Sequence, residues 1–144
     1  YNDYEIVAAN LFDKDPRRIS DRIPAYALFI DPPLGRAGIN EAEARQLMKG
    51  GGRKVLAAKM PMARVGRARE AGETQGFMKV LVDAESQEIL GASLLGLSGD
   101  EVIHSILDLM YAKKPYTTIQ RAVHIHPTVS ELIPTLLGGL RPLA

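Results

Sequence analysis

Two apolar, β-favouring runs, Phe77 to Val82 and Ile89 to Leu95, flank Asp83-Ala84-Glu85-Ser86-Gln87-Glu88, a stretch of turn-forming and charged residues. This pattern predicts an antiparallel hairpin. A two-stranded ribbon is marginal in water, so more strands or a helical layer must cover it. The flanking sequence supplies both. A strand-like pattern from Ile23 through Tyr26, Leu28 and Ile30 stops at Asp31-Pro32-Pro33 and resumes over Leu34 to Ile39, and residues 53–60 read as another strand.

Helical signals surround these strands. Asn40 with Glu43 forms a capping-box pattern for a helix of about three turns that ends at Gly50-Gly51-Gly52. Asp100 is placed to cap a helix in which Val102, Ile103, Ile106, Leu107, Leu109 and Met110 recur at the helical period, ending before Pro115. Thr117 to Arg121 suggests a short helix and Ala122 to Pro127 an extended link. Thr128 with Glu131 gives a second capping-box pattern, for a helix carrying Val129, Leu132, Ile133, Leu136 and Leu137 that Pro134 is expected to kink. Residues 61–73, with Arg64, Arg67 and Arg69 between Gly66 and Gly72, hold no sustained period and read as an irregular loop. The expected fold class is α+β, an antiparallel β-sheet with helices packed on it. The helix faces at Val102 to Met110 and Val129 to Leu137 exceed what a thin sheet covers, so the domain is expected to dimerise.

Residues 5–12 resemble the end of a helix, and the charged, proline-containing run Asp13 to Arg18 reads as a linker. The expected division is residues 1–23 as linker and the end of a preceding domain, and 24–144 as the domain proper. The chain opens at Tyr1 without a signal peptide pattern, and it is expected to be a piece of a longer protein.

Eighteen Lys and Arg against 17 Asp and Glu, with no basic run interleaved with aromatics, argue against nucleic acid as a partner. The longest apolar run, Ile89 to Leu97, is broken by Gly91, Ser93 and Gly96 and is far too short to span a membrane. There is no cysteine, which removes thiol nucleophiles, disulfides and thiolate zinc sites from this chain. Any redox chemistry it serves is carried elsewhere.

Chemistry concentrates in His124-Ile125-His126-Pro127-Thr128-Val129-Ser130-Glu131. Three readings fit those residues. As a metal site, the His-x-His with a following Glu partly matches the first motif of cupin barrels. That motif needs a glycine where Thr118 stands and a later third histidine, and none follows here. As an acid–base pair, Glu131 holds one ring nitrogen of His126 and leaves the other free to move a proton, a carboxylate neighbour favouring the charged ring. As plain structure, Thr128 and Glu131 cap a helix and His126 is satisfied by backbone. Elsewhere, His104 and Asp108 with Glu101 read as a solvated charge group on one helix face, and Arg64, Arg67 and Arg69 as a solvated loop rather than an anion site.

The segment His124 to Leu137 resembles the C-terminal signature of the flavin-dependent pyridine nucleotide-disulfide oxidoreductases, the group of lipoamide dehydrogenase and glutathione reductase. Pro33-Leu34-Gly35-Arg36-Ala37-Gly38-Ile39-Asn40-Glu41-Ala42-Glu43-Ala44 is similar to that family's proline followed by Val-Gly-x-Thr-Glu-x-x-Ala. The run from Gly76-Phe77-Met78-Lys79 through Ile89-Leu90-Gly91-Ala92 to Gly99-Asp100-Glu101 is similar to its hairpin and next helix. The three blocks occur in family order over about residues 24–140.

The resemblance implies a homodimerisation domain, with residues 1–23 ending an FAD domain. FAD and NAD(P) would be bound elsewhere in the full-length protein and none by this fragment, which alone would be inactive. His126 would be the acid–base serving the partner subunit's dithiol and Glu131 its orienting carboxylate. The His126–Pro127 bond would be cis, with the backbone of His126 and Pro127 close to the partner's flavin. No metal is expected, and the location is expected to be cytoplasmic. The competing expectation is a self-contained binding or scaffold domain without catalysis. Mercuric reductases of this superfamily carry a C-terminal cysteine pair, whereas this chain ends Arg141-Pro142-Leu143-Ala144.

Overall fold

The structure is a computed structural model that describes residues 1–144. The predicted hairpin forms its centre: β4 (Phe77–Asp83) and β5 (Ile89–Leu95) pair antiparallel, with an irregularity between Leu81 and Val82. Four further strands extend the sheet: β1 (Ala25–Leu28), β2 (Leu34–Gly38), β3 (Val55–Pro61) and β6 (Arg141–Pro142). Their order is β1-β2-β5-β4-β3-β6, and every neighbouring pair is antiparallel. The helices are α1 (Asn2–Ala8), α2 (Glu41–Gly51), α3 (Gly66–Ala71), α4 (Gly99–Tyr111), α5 (Thr117–Gln120) and α6 (Ile133–Leu137). The α+β class expected from the sequence is the one observed.

Alternation along the strands separates two layers of packing. Ala58, Met60, Met78, Val80, Val82, Ala92 and Leu94 face the main core, which α4 and α6 close with Ile103, Ile106, Ile133, Leu136 and Leu137. On the opposite face, α2 brings Ala44 against Val55, Leu81 and Leu143. The capping box of α2 is complete: Asn40 Oδ1 accepts from the Glu43 N–H at 3.0 Å, and the Glu43 carboxylate accepts from the Asn40 N–H at 2.7 Å. Helix α4 lies directly on the strand backbone of β2. A Cβ on Gly35 would stand 2.1 Å from the Gly99 carbonyl oxygen and 2.8 Å from the Ile103 Cβ.

Four expectations are corrected. Residues 61–73 are not an irregular loop: a 3-10 turn (Met62–Arg64) leads into α3, and Met62, Val65 and Ala68 are wholly buried. Their three-residue spacing is what the interleaved arginines obscured. Asp100 does not cap α4; Ser98 precedes the helix in the left-handed region at φ 54°, and Asp100 lies in the first turn, where a carboxylate still complements the helix dipole. Pro134 does not kink a continuous helix, because the segment divides into a 3-10 turn (Ser130–Leu132) and α6, and the proline sits in the first turn of α6. There its missing N–H has no intrahelical partner to lose.

The fourth correction concerns surface. Val102, Ile103 and Ile106, with Val129, Ile133, Leu136 and Leu137, are buried inside this chain, so only Leu107, Leu109, Met110 and Leu132 of those two faces stay partly open. The large apolar side chains left outward include Phe29, Ile30, Val123 and Ile125. No helix is long and apolar enough to cross a membrane.

Candidate active site

Helix α5 anchors Ile119 in the core, and the chain then leaves the body of the domain as an arm, residues 121–127, without regular structure. Val123 is fully exposed and Ile125 is 80% exposed. The arm turns back at His126–Pro127, whose peptide bond is cis, as the family resemblance implied; Asp31–Pro32 is also cis. The return leg is fixed by the Thr128 hydroxyl, which donates to the Ile125 carbonyl at 2.7 Å and accepts from the Glu131 N–H at 3.2 Å. Val129 then re-enters the core.

This geometry brings His126 and Glu131 together. His126 Nδ1 lies 2.9 Å from Glu131 Oε2 and 3.1 Å from Oε1, so one ring N–H is shared between both carboxylate oxygens. The His126 side chain is 78% exposed and that of Glu131 only 16%. A half-buried carboxylate thus pins an imidazole whose body stands in solvent. With Nδ1 as the donor, Nε2 is left as an acceptor facing outward, able to take a proton from an approaching group and return it.

Only half of the predicted second capping box forms. Thr128 accepts from the Glu131 N–H, but the Glu131 carboxylate that a capping box would direct back to the Thr128 N–H goes to His126 instead. His124 bonds its own arm, Nδ1 to the Ala122 carbonyl at 3.0 Å. No three His, Asp or Glu side chains stand close enough to share a metal ion. His104 is exposed and makes no ion pair or hydrogen bond with Asp108 or Glu101. Arg67 pairs with Glu70 at 3.3 Å across one turn of α3, and Arg64 and Arg69 point to solvent.

Beside the arm lies an open groove of about 470 Å³, bounded by Arg67 and Ala71 of α3, Ser98 and Val102 at the start of α4, and Pro127 and Thr128. Sequence reasoning missed it because it needs α3 to exist. It also passed over Asp83, read only as a turn residue. Its carboxylate is 6% exposed and accepts from the N–H groups of Ser86 and Glu85, each at 2.9 Å, with Arg53 at 3.5 Å. Those donors, Ser86 first, hold its pKa below the ordinary carboxylate value against the opposing effect of burial.

The chain contains no Gly-x-Gly-x-x-Gly run of the kind that cradles a dinucleotide pyrophosphate.

Known proteins share this architecture. The chain is 35% identical over 139 residues to the probable pyridine nucleotide-disulfide oxidoreductase RclA of Escherichia coli, covering 95% of this chain and 30% of that protein. It is 34% identical over 114 residues to the dihydrolipoyl dehydrogenase of Corynebacterium glutamicum, covering 79% of this chain and 24% of that enzyme. The solved structure of the HOCl-induced flavoprotein disulfide reductase RclA from Escherichia coli superposes with a TM-score of 0.87 at 34% identity, over 95% of this chain and 31% of that one. The chain therefore spans less than a third of the length of these relatives, which are oxidoreductases. Residues 24–137 match the family described as pyridine nucleotide-disulphide oxidoreductase, dimerisation domain, and the chain belongs to that family.

Proposed function

We propose that this chain is the dimerisation and acid–base module of a flavoprotein disulfide oxidoreductase, with residues 24–144 as the module and 1–23 as the end of the FAD domain. In this reading two copies form a homodimer in the cytoplasm. His126 of each copy reaches the redox-active dithiol of the other, Glu131 orients it, and the backbone at His126 and Pro127 lies near the flavin held by the partner subunit. FAD and NAD(P) belong to the other domains of the full-length protein, where bound flavin supplies the passage of an electron pair between nicotinamide and dithiol. His126 takes the proton of a thiol at Nε2, so that a thiolate attacks, and gives a proton back to the sulfur that leaves. A base so placed contributes typically about 10²–10⁴ in rate.

The observation that carries the proposal is the asymmetry of the dyad. The half-buried Glu131 holds an imidazole that is 78% exposed, at the tip of an arm whose apolar side chains have no cover in their own chain. A ring ordered at that cost in solvent suits a task performed on another molecule.

The test uses two inactive full-length forms, one His126→Ala and one with the redox cysteines replaced. Unfolded and refolded together, half the dimers are mixed and one site in each is complete, so roughly a quarter of wild-type disulfide reductase activity should return. Absence of any recovery, in mixtures shown to contain mixed dimers, refutes action across the interface. Near-wild-type turnover by the His126→Ala homodimer refutes the acid–base role and leaves a scaffold.

A further inference from the structure

We infer that Thr128 is a positioning residue for the dyad: its hydroxyl fixes Glu131 relative to the turn that carries His126, and thereby sets which nitrogen of His126 holds the proton. This rests on the acid–base reading above and adds to it a residue that the capping pattern had explained as local structure.

A single side-chain contact orders His126. Its ring is exposed, so packing does not restrain it, and the restraint comes from the Nδ1 contact with Glu131 at 2.9 and 3.1 Å. That contact spans five residues and crosses the cis turn, so the two side chains stay in register only if the turn itself is held. The Thr128 hydroxyl makes the hydrogen bonds that hold it. It donates at 2.7 Å to the Ile125 carbonyl, on the leg just before His126, and accepts at 3.2 Å from the N–H of Glu131 itself. One oxygen thus ties the outgoing leg of the turn to the residue that supplies the carboxylate. With the Glu131 carboxylate committed to His126, the Thr128 hydroxyl is the half of the capping box that remains.

The chemical consequence is tautomeric. A free neutral imidazole in water favours the proton on Nε2, whereas the bond to Glu131 requires it on Nδ1 and leaves Nε2 as the base. A hydroxyl that secures Glu131 therefore secures the reactive nitrogen, without touching the reacting atoms.

The experiment compares Thr128→Val, which keeps shape and loses the hydroxyl, with Thr128→Ser, which keeps the hydroxyl. Glu131→Ala, which removes the acceptor for Nδ1–H altogether, serves as the reference for a broken dyad. Thr128 is half-buried at the surface, and urea unfolding of each variant checks that the fold is retained; Thr128→Ala provides a second hydroxyl-free form if the valine is poorly tolerated. The first readout is the ring ¹⁵N spectrum of labelled histidine above neutral pH, with the His126 signal assigned by its loss in His126→Gln. The second is reduction of 5,5′-dithiobis(2-nitrobenzoate) by NAD(P)H in the full-length enzyme. Wild type and Thr128→Ser should show the Nδ1–H form, while the hydroxyl-free variants shift toward Nε2–H and lose about tenfold in kcat with KM within twofold. If the hydroxyl-free variants keep the Nδ1–H form and wild-type kcat while Glu131→Ala loses both, the Thr128 inference fails and the dyad stands. If Glu131→Ala also leaves tautomer and kcat unchanged, the dyad reading falls and this inference with it.

Discussion

Replacing Asp83 by alanine removes two hydrogen bonds to an ionised acceptor, from the N–H groups of Ser86 and Glu85, each at 2.9 Å. Bonds of this kind are worth about 1.5–3 kcal/mol each, so the gross loss is about 3–6 kcal/mol. Two effects reduce it. Ser86 and Glu85 are exposed, so their freed N–H groups return to water, and the variant no longer buries a carboxylate. Arg53 is more than half exposed and 3.5 Å away, and adds little. The expected net loss at pH 7 is about 2 kcal/mol. At about 2.1 cal/mol/K per residue of unfolding entropy, that lowers the melting temperature of a chain this size by about 7 °C.

The pH dependence separates this cause from a general loosening of the hairpin. The folded Asp83 carboxyl titrates below its ordinary value of 3.8. Its contribution is therefore complete above that ordinary value and is lost as pH falls through the lower, folded one. Melting curves of wild type and Asp83→Ala followed by circular dichroism should stay apart by a constant amount from pH 8 to 5 and converge below pH 4. A gap that is as wide at the lowest pH at which wild type still folds, or no gap at pH 7, would refute the assignment of this stability to the carboxylate charge.

Gly35→Ala should cost about 3 kcal/mol or more, because the new methyl group meets the Gly99 carbonyl and Ile103 and lifts α4 from the sheet; urea unfolding measures it. Gln87→Gly should stabilise by about 0.5–1 kcal/mol, since Gln87 is held at φ 63°, where glycine is unstrained; a lower midpoint in the same assay contradicts this. Val123→Asp with Ile125→Asp should shift sedimentation from dimer to monomer while leaving the melting temperature of the isolated domain within about 2 °C, because both side chains are exposed in the single chain. His126→Ala in the full-length enzyme should lower kcat for disulfide reduction by about 10²–10⁴; a loss below threefold contradicts the acid–base role.

What could be read from the sequence was whatever has a short-range signature. The central hairpin, the Asn40–Glu43 box and the apolar period of α4 each lie within one contiguous stretch of at most 19 residues, and each is present. The sheet order is another matter. Nothing local to Leu34–Gly38 says that this strand pairs with both β1 and β5, or that Arg141 and Pro142 close the far edge on β3. Residues 62–68 were opaque for a different reason: three buried residues spaced by three are a faint signal when arginines and a glycine stand between them. The dyad was legible as a spacing but not as a choice. Thr128 and Glu131 suit a capping box, and only the fold of the turn decides that the carboxylate leaves that bond for His126.

The arm that carries His126 has both feet planted in the same core, Ile119 on one side and Val129 on the other. It therefore behaves as a cassette. Its outgoing leg, from Ala122 to His124, can change in sequence without disturbing the packing beneath it, so selection is free to refit the outward side chains. The stretch from Ile125 to Glu131 has no such freedom, because an insertion or deletion there moves the carboxylate off the ring. Divergence among such domains should concentrate on the first half of the arm and spare the second, and transplanting residues 120–133 between relatives should carry His126 and its carboxylate partner across as a unit.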